Sequence, residues 1–182
     1  MQQVLFIHSA GPQEENQGST GLQQYLQDEL GNAYQVIAPK MPDPKNPQYA
    51  EWKKVLKKEV ASLEDGAVLV GHSIGGSALL KFLSEEELGK SFAKVITIAA
   101  PFWGIDADWE KEDFALADDF VSRNSLLPEV VLFHSIKDEI VPFSHLEKYM
   151  ENMPSATVKQ LAGNEHVFQE GLRELAEEIR RD

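Results

Sequence analysis

The residues able to do chemistry start with Ser73, in the run Val68-Leu69-Val70-Gly71-His72-Ser73-Ile74-Gly75-Gly76. A short apolar stretch meets G-x-S-x-G and passes into a helix-like segment, Ser77 to Leu83. A nucleophile elbow requires that strand–turn–helix context. Gly71 and Gly75 have no Cβ, so strand and helix can approach across a tight turn. The turn lifts the Ser73 hydroxyl off the sheet, and the unpaired N–H groups of the first helical turn face the same spot. On its own, G-x-S-x-G is also an ordinary Gly/Ser turn, so the role of Ser73 depends on its partners. A serine hydroxyl becomes a good nucleophile only when a base within hydrogen-bond reach takes its proton.

In this arrangement the nucleophile is followed along the chain by an acid and then a histidine. After the apolar run Val130 to Phe133 comes His134-Ser135-Ile136-Lys137-Asp138-Glu139-Ile140-Val141-Pro142. Asp138 would accept the Nδ1–H of the base and fix its tautomer. Glu139 is the rival acid, and the D-x-x-V-P pattern favours Asp138. His166 lies in Ala162-Gly163-Asn164-Glu165-His166-Val167-Phe168, just past the run Thr157 to Leu161. The other histidines fit the base role less well. His8 closes the first strand, His72 adjoins the serine, and His145 starts a helix. His134 would put the base ahead of the acid.

An oxyanion hole needs two donors aimed at the developing charge. The Ile74 amide, next after the nucleophile, is one. The loop His8-Ser9-Ala10-Gly11 supplies the other, and Ala10 is preferred to Ser9. Ser9, His72, Phe102 and Trp103 are the candidates for substrate contact.

These groups need elements to hold them, and apolar runs alternate with helical patterns throughout. Strands are expected at Val4–Ile7, Tyr34–Ala38, 68–71, Val95–Ala99, Val130–Phe133 and Thr157–Leu161. Helices are expected at Leu22–Leu30, Tyr49–Leu63, 74–88, Ser144–Asn152 and from about Phe168 to Arg180. Most strands alternate little, as when helices cover both faces. Repeated β-α units imply one α/β domain over 1–182: three layers around a doubly wound, mostly parallel six-stranded sheet. Ligands bind such sheets beyond the carboxyl ends of the strands. Residues 39–47 hold four of the nine prolines and form a loop. The run Lys53, Lys54, Lys57 and Lys58 reads as a solvated helix face. Residues 101–127 break the regularity, with Phe102, Trp103, Trp109, Phe114, Phe120, Leu126 and Leu127 set among acids. This segment is either a lid or binding loop, or a crossover whose aromatics belong to the core.

With 17 basic and 30 acidic residues, the chain carries a net charge of −13. That surface repels phosphate backbones and anionic lipid, so nucleic-acid and membrane-surface binding are disfavoured. There is no cysteine, which excludes disulfides, thiolate catalysis and cysteine-based metal sites. No segment approaches the ~18 consecutive apolar residues of a spanning helix. The first residues lack the basic flank and longer apolar stretch of a signal peptide. A soluble cytoplasmic protein is expected.

The order of elbow serine, D-x-x-V-P and loop histidine resembles the α/β-hydrolase superfamily in a minimal form lacking its first two strands. More narrowly, the chain resembles the small serine hydrolases related to retinoblastoma-binding protein nine. The features are a first strand starting at residue 4, Met41-Pro42-Asp43-Pro44, Gly71 to Gly75, Ile140-Val141-Pro142-Phe143-Ser144, and Gly163-x-x-His166. The match spans essentially the whole chain. It implies Ser73, Asp138 and His166 as a catalytic triad, the same residues reached above from chemistry and order. The first loop departs from the pattern, since His8-Ser9-Ala10-Gly11 stands where the superfamily usually has a His-Gly pair.

The expected activity is cleavage of a small ester, thioester or amide through an acyl-enzyme on Ser73, with no metal and no cofactor. The expected partner is a small-molecule acyl substrate, with a protein partner left open. Two alternatives stand beside it: a protein-interaction module that keeps the fold, and an acyltransferase or perhydrolase using the same groups.

Overall fold

The central strands hold long apolar stretches because their alternate residues enter two different cores. Val4, Phe6, Val68, Val70, Ile96, Ile98, Val131 and Phe133 face one cluster; Leu5, Ile7, Leu69, Val95 and Leu132 face the other. The computed structural model, which describes residues 1–120 and 128–181, sets these strands in one six-stranded sheet. They are β1 (Gln2–Ile7), β2 (Tyr34–Ile37), β3 (Ala67–His72), β4 (Phe92–Ile98), β5 (Glu129–Ser135) and β6 (Thr157–Leu161). Their order is β2-β1-β3-β4-β5-β6. Every neighbouring pair is parallel.

Helices α1 (Thr20–Leu30), α2 (Tyr49–Ser62), α3 (Ile74–Glu85), α4 (Ser144–Asn152) and α5 (Arg173–Arg180) complete the outer layers. Leu22 and Leu26 of α1 join Leu175 and Ile179 of α5 on one face. Trp52 and Leu56 of α2, Leu79 and Phe82 of α3, and Leu146 and Tyr149 of α4 cover the other. The three-layer doubly wound sheet is therefore present, and it is all parallel.

The strand order places the site. From β1 the chain runs outward to β2, then returns to β3 on the other side of β1. The loops after β1 and β3 thus open a crevice at a topological switch point. Asp138 and His166 follow β5 and β6 at the same end of the sheet.

Several boundaries differ from the sequence expectation. Helix α3 stops at Glu85 rather than residue 88. Helix α5 starts at Arg173 rather than near Phe168, because Phe168 (φ 52°) and Gly171 (φ 95°) take left-handed conformations that a helix excludes. Strand β4 ends at Ile98, before Ala99 at φ 49°.

The lysine run on α2 is partly engaged. Lys53 sits 2.8 and 2.9 Å from Glu85 and Glu86, and Lys57 is 3.0 Å from Glu86, which ties α2 to the end of α3. In the described part of the insertion, Trp103, Phe114 and Phe120 are buried in the core beneath α2 and α3. Leu126 and Leu127 lie outside the described residues. Among the described residues no helix is long and apolar enough to cross a membrane.

Candidate active site

Two glycines let three chain segments converge at Ser73. An ideal Cβ on Gly71 would lie 2.5 Å from the Gly75 carbonyl oxygen. One on Gly75 would strike the Ile7 carbonyl and lie 2.6 Å from that of His8. Ser73 itself has φ 53° and ψ −125°, a strained setting of the kind retained where surrounding structure over-determines it. Its N–H donates to the Ile98 carbonyl at 2.7 Å, fixing the elbow to β4. The residue is only 7% exposed.

The amides around Ser73 sort themselves by what they already bond. Gly76 and Ser77 donate to the Ser73 carbonyl at 2.9 and 3.4 Å. Ile74 N–H, in the first turn of α3, has no acceptor among the described residues. In the β1 loop, Ser9 N–H donates to Ser19 Oγ at 2.8 Å and Gly11 N–H to the Pro44 carbonyl at 2.7 Å. Ala10 N–H, between them, has no acceptor among the described residues. Ala10 and Ile74 line the same 420 Å³ cleft as Ser73 and His166.

Asp138 is 6% exposed, and each of its oxygens has a separate task. Oδ1 accepts the Ile140 and Val141 amides, both at 2.9 Å, and Oδ2 lies 2.7 Å from His166 Nδ1. Burial pushes its carboxyl up, but the hydrogen bond and charge of His166, with the two amides, outweigh burial and hold it below the usual carboxylate range. An ionised carboxylate only accepts, so His166 Nδ1 carries a proton and, in the neutral ring, Nε2 is the acceptor. The rival Glu139 is exposed. His134 Nε2–H donates to the Val141 carbonyl at 2.8 Å and lies 3.9 Å from Asp138 Oδ2, bracing the acid loop.

The loop carrying His166 is tied down along its length. Lys137 N–H donates to the Gly163 carbonyl at 2.9 Å. Ser135 Oγ–H donates to the Glu165 carbonyl. His72 Nε2–H donates to the carbonyl of His166 itself at 2.7 Å. Because a carbonyl only accepts, His72 Nδ1 is unprotonated and accepts from Ser19 Oγ–H at 2.7 Å. The Ser19 oxygen in turn lies 2.8 Å from Ser9 Oγ. A buried chain of hydrogen bonds thus joins the His166 loop to the β1 loop through the residue beside Ser73.

Burial, aided by the neighbouring His166, lowers His72 from 6.5 to about 3. It stays neutral in the folded protein where an unfolded histidine would take up a proton. Stability attributable to it is therefore complete above pH 6.5 and falls as pH drops toward 3, by on the order of 1 kcal/mol per pH unit. His8, lowered to about 4 by burial, acts in the same direction over a narrower window.

His72→Ala should lower kcat about 10- to 100-fold through misplacement of His166. His72→Gln keeps a donor toward the His166 carbonyl and should recover most of that loss, while flattening the acid limb of stability below pH 6.5. Steady-state kinetics and urea melts at several pH values measure both effects.

The substrate-contact candidates separate. Ser9, His72 and Trp103 line the cleft. Both ring nitrogens of His72 are already engaged, and the Trp103 indole N–H donates to Ser77 Oγ at 2.9 Å. Phe102 is not in the lining; its ring packs edge-on against Tyr149 at 4.9 Å. The pull comes from His145, whose Nδ1 accepts the Phe102 N–H at 2.9 Å. His145 Nε2 is 3.3 Å from Asp106 Oδ2 but not aligned for a hydrogen bond. Trp109 takes the place expected of Phe102 in the cleft, edge-on to Trp103 at 5.2 Å.

A larger groove of 660 Å³ runs along β6 and α5. It lacks Ser73 and His166, which line the smaller cleft. Among the described residues no group of three or more His, Asp or Glu is arranged to hold a metal ion.

The all-parallel sheet, its order and the elbow at β3 define the α/β-hydrolase fold. Comparison with known proteins agrees: the crystal structure of the ydeN gene product from B. subtilis superposes with a TM-score of 0.82 at 20% identity, covering 98% of this chain and 97% of that one. The meta-cleavage product hydrolase CumD from Pseudomonas fluorescens IP01 superposes with a TM-score of 0.73 at 15% identity, covering 98% and 87%. In sequence, YdeN of Bacillus subtilis (strain 168) is 24% identical over 174 residues, 95% of this chain and 90% of that protein. The family model described as serine hydrolase matches residues 13–178, and the chain belongs to that family.

Proposed function

We propose that the chain is a carboxylesterase-like serine hydrolase that cleaves small esters, thioesters or amides through an acyl-enzyme on Ser73. The observation that carries this reading is a serine at a left-handed elbow sharing one cleft with His166, whose Nδ1 is bonded to the buried Asp138. Membership of the serine hydrolase family supports it.

In the first half-reaction Ser73 Oγ attacks the acyl carbonyl carbon and its proton passes to His166 Nε2. The carbonyl oxygen becomes an oxyanion held by the Ala10 and Ile74 amides, each such donor worth about 2.7–4 kcal/mol in the transition state. Asp138 stabilises the imidazolium. The intermediate collapses as Nε2 returns the proton to the leaving group. In the second half, Nε2 takes a proton from water, the hydroxide attacks the acyl carbon, and collapse returns the proton to Ser73 Oγ.

The test is turnover of para-nitrophenyl butyrate with hydroxylamine as a competing acceptor. A common acyl-enzyme gives an initial burst of nitrophenol and partition of product between butyrate and the hydroxamate. Acyl transfer as the main activity would appear as near-complete diversion to a dilute acceptor. Absence of any turnover would contradict the reading.

A further inference from the structure

We propose that the substrate carries an anionic group, a carboxylate or its equivalent, bound by Lys45 and Lys111 on one rim of the catalytic cleft. The inference rests on the hydrolase reading of that cleft and names its substrate class.

In a chain of net charge −13, this cleft is lined by Lys45 and Lys111 and by no Asp or Glu. Several lysines elsewhere are paired: Lys53, Lys57, Lys81 and Lys94 each lie within 4.0 Å of a carboxylate. Among the described residues no carboxylate lies that close to Lys45 or Lys111. Acids are abundant on the same segments but are directed elsewhere. Asp113 accepts the Tyr49 amide at 2.9 Å and Asp106 faces His145, while Asp43, Asp108, Glu110 and Glu112 are exposed and outside the lining.

The two lysines line one cleft. Lys111 Nζ donates to the Pro47 carbonyl at 2.7 Å, so the insertion is fastened to the loop that carries Lys45 and Asn46. That loop is fastened in turn to the oxyanion side, where Gly11 N–H donates to the Pro44 carbonyl at 2.7 Å. Trp52 Nε1–H donates to the Pro42 carbonyl at 2.8 Å and anchors the loop to α2. A cationic rim therefore stands beside the oxyanion loop, facing apolar walls formed by Trp103, Trp109, Ile140 and Val167. Such a cleft suits an apolar body with one anionic end. Its local positive charge offsets the repulsion that the acidic surface exerts on an approaching anion.

The anion can sit on either side of the scissile bond, so two matched pairs of esters test it. Mono-para-nitrophenyl adipate and its methyl ester differ in charge on the acyl side. Para-butyryloxybenzoate and its methyl ester differ on the leaving-group side. In at least one pair the anionic ester should show a kcat/KM roughly tenfold above its neutral partner, mainly through KM. The preference should shrink as ionic strength rises. Lys45→Gln with Lys111→Gln should bring that ratio close to one, and Lys45→Arg with Lys111→Arg should retain it. Ratios at or below one in both pairs, or a ratio indifferent to the glutamine pair, would overturn the proposal while leaving ester cleavage intact.

Calorimetric titration of the Ser73→Ala protein with monomethyl adipate, and with para-butyryloxybenzoate, reports on the rim without turnover. Binding that is lost in the added glutamine pair supports the proposal even if ester cleavage fails. Absence of binding by both monomethyl adipate and para-butyryloxybenzoate, or binding equal in both proteins, contradicts it.

Discussion

Ser73→Ala should remove turnover of para-nitrophenyl butyrate by roughly five to six orders of magnitude in kcat, the scale found when a nucleophile acting within a triad is deleted. Only the oxygen that forms the acyl bond is lost. The oxyanion donors remain, so a residual rate about a thousand-fold above water is expected. Alanine has the same chirality as serine and inherits the left-handed backbone at φ 53°. The strain is neither relieved nor increased, and the melting temperature should stay within a few degrees. Initial rates and a thermal melt on the same preparation check both halves. A variant keeping a tenth of wild-type kcat would place the chemistry elsewhere.

The second large effect is expected at Asp138, and the hydrogen bonds around it give its sign. In Asp138→Asn the Ile140 and Val141 amides, each 2.9 Å from Oδ1, select an oxygen at that position. The new NH₂ must then stand where Oδ2 was, 2.7 Å from His166 Nδ1. It donates to that nitrogen and forces the imidazole proton onto Nε2. The ring can no longer accept the proton of Ser73. A loss of about 10⁴-fold in kcat follows, with KM changed little.

The same substitution has a stability signature. The Asp138 carboxyl is held below its ordinary value in the folded protein, so its contribution is present above about pH 4 and is lost as pH falls through the folded value. Asparagine lacks that contribution at every pH. The difference in melting temperature between the two proteins should narrow on acidification below pH 4.

The sheet was legible because most strands read as short apolar runs and most crossovers as amphipathic helices. The alternation hidden in those runs, Leu5 and Ile7 to one core and Val4 and Phe6 to the other, is invisible when both faces are apolar. That Ser73, Asp138 and His166 would come together was legible for another reason: each follows a strand, in an order that the elbow itself specifies.

What escaped depends on contacts between distant segments. The choice of Ala10 over Ser9 was made from the loop alone, whereas what occupies the Ser9 amide is Ser19, ten residues on. Phe102 and Trp109 exchange places because His145, in α4, draws the backbone of the insertion toward itself. Lys94, just ahead of the expected strand at Val95, is buried against the end of α5. There it donates to the Glu178 and Arg181 carbonyls at 3.0 and 2.5 Å and lies 3.3 Å from Glu178 Oε1. No local pattern in the sequence carries such information.

The central claim is that one serine oxygen attacks the acyl group. Its most direct test is reaction of the wild-type protein with a fluorophosphonate at neutral pH, followed by proteolysis and mass mapping of the adduct. The account predicts one equivalent of phosphonate on the peptide containing Ser73, and none on the Ser73→Ala protein. No adduct on the wild type, or an adduct on Ser9, Ser19 or Ser77 instead, would contradict it.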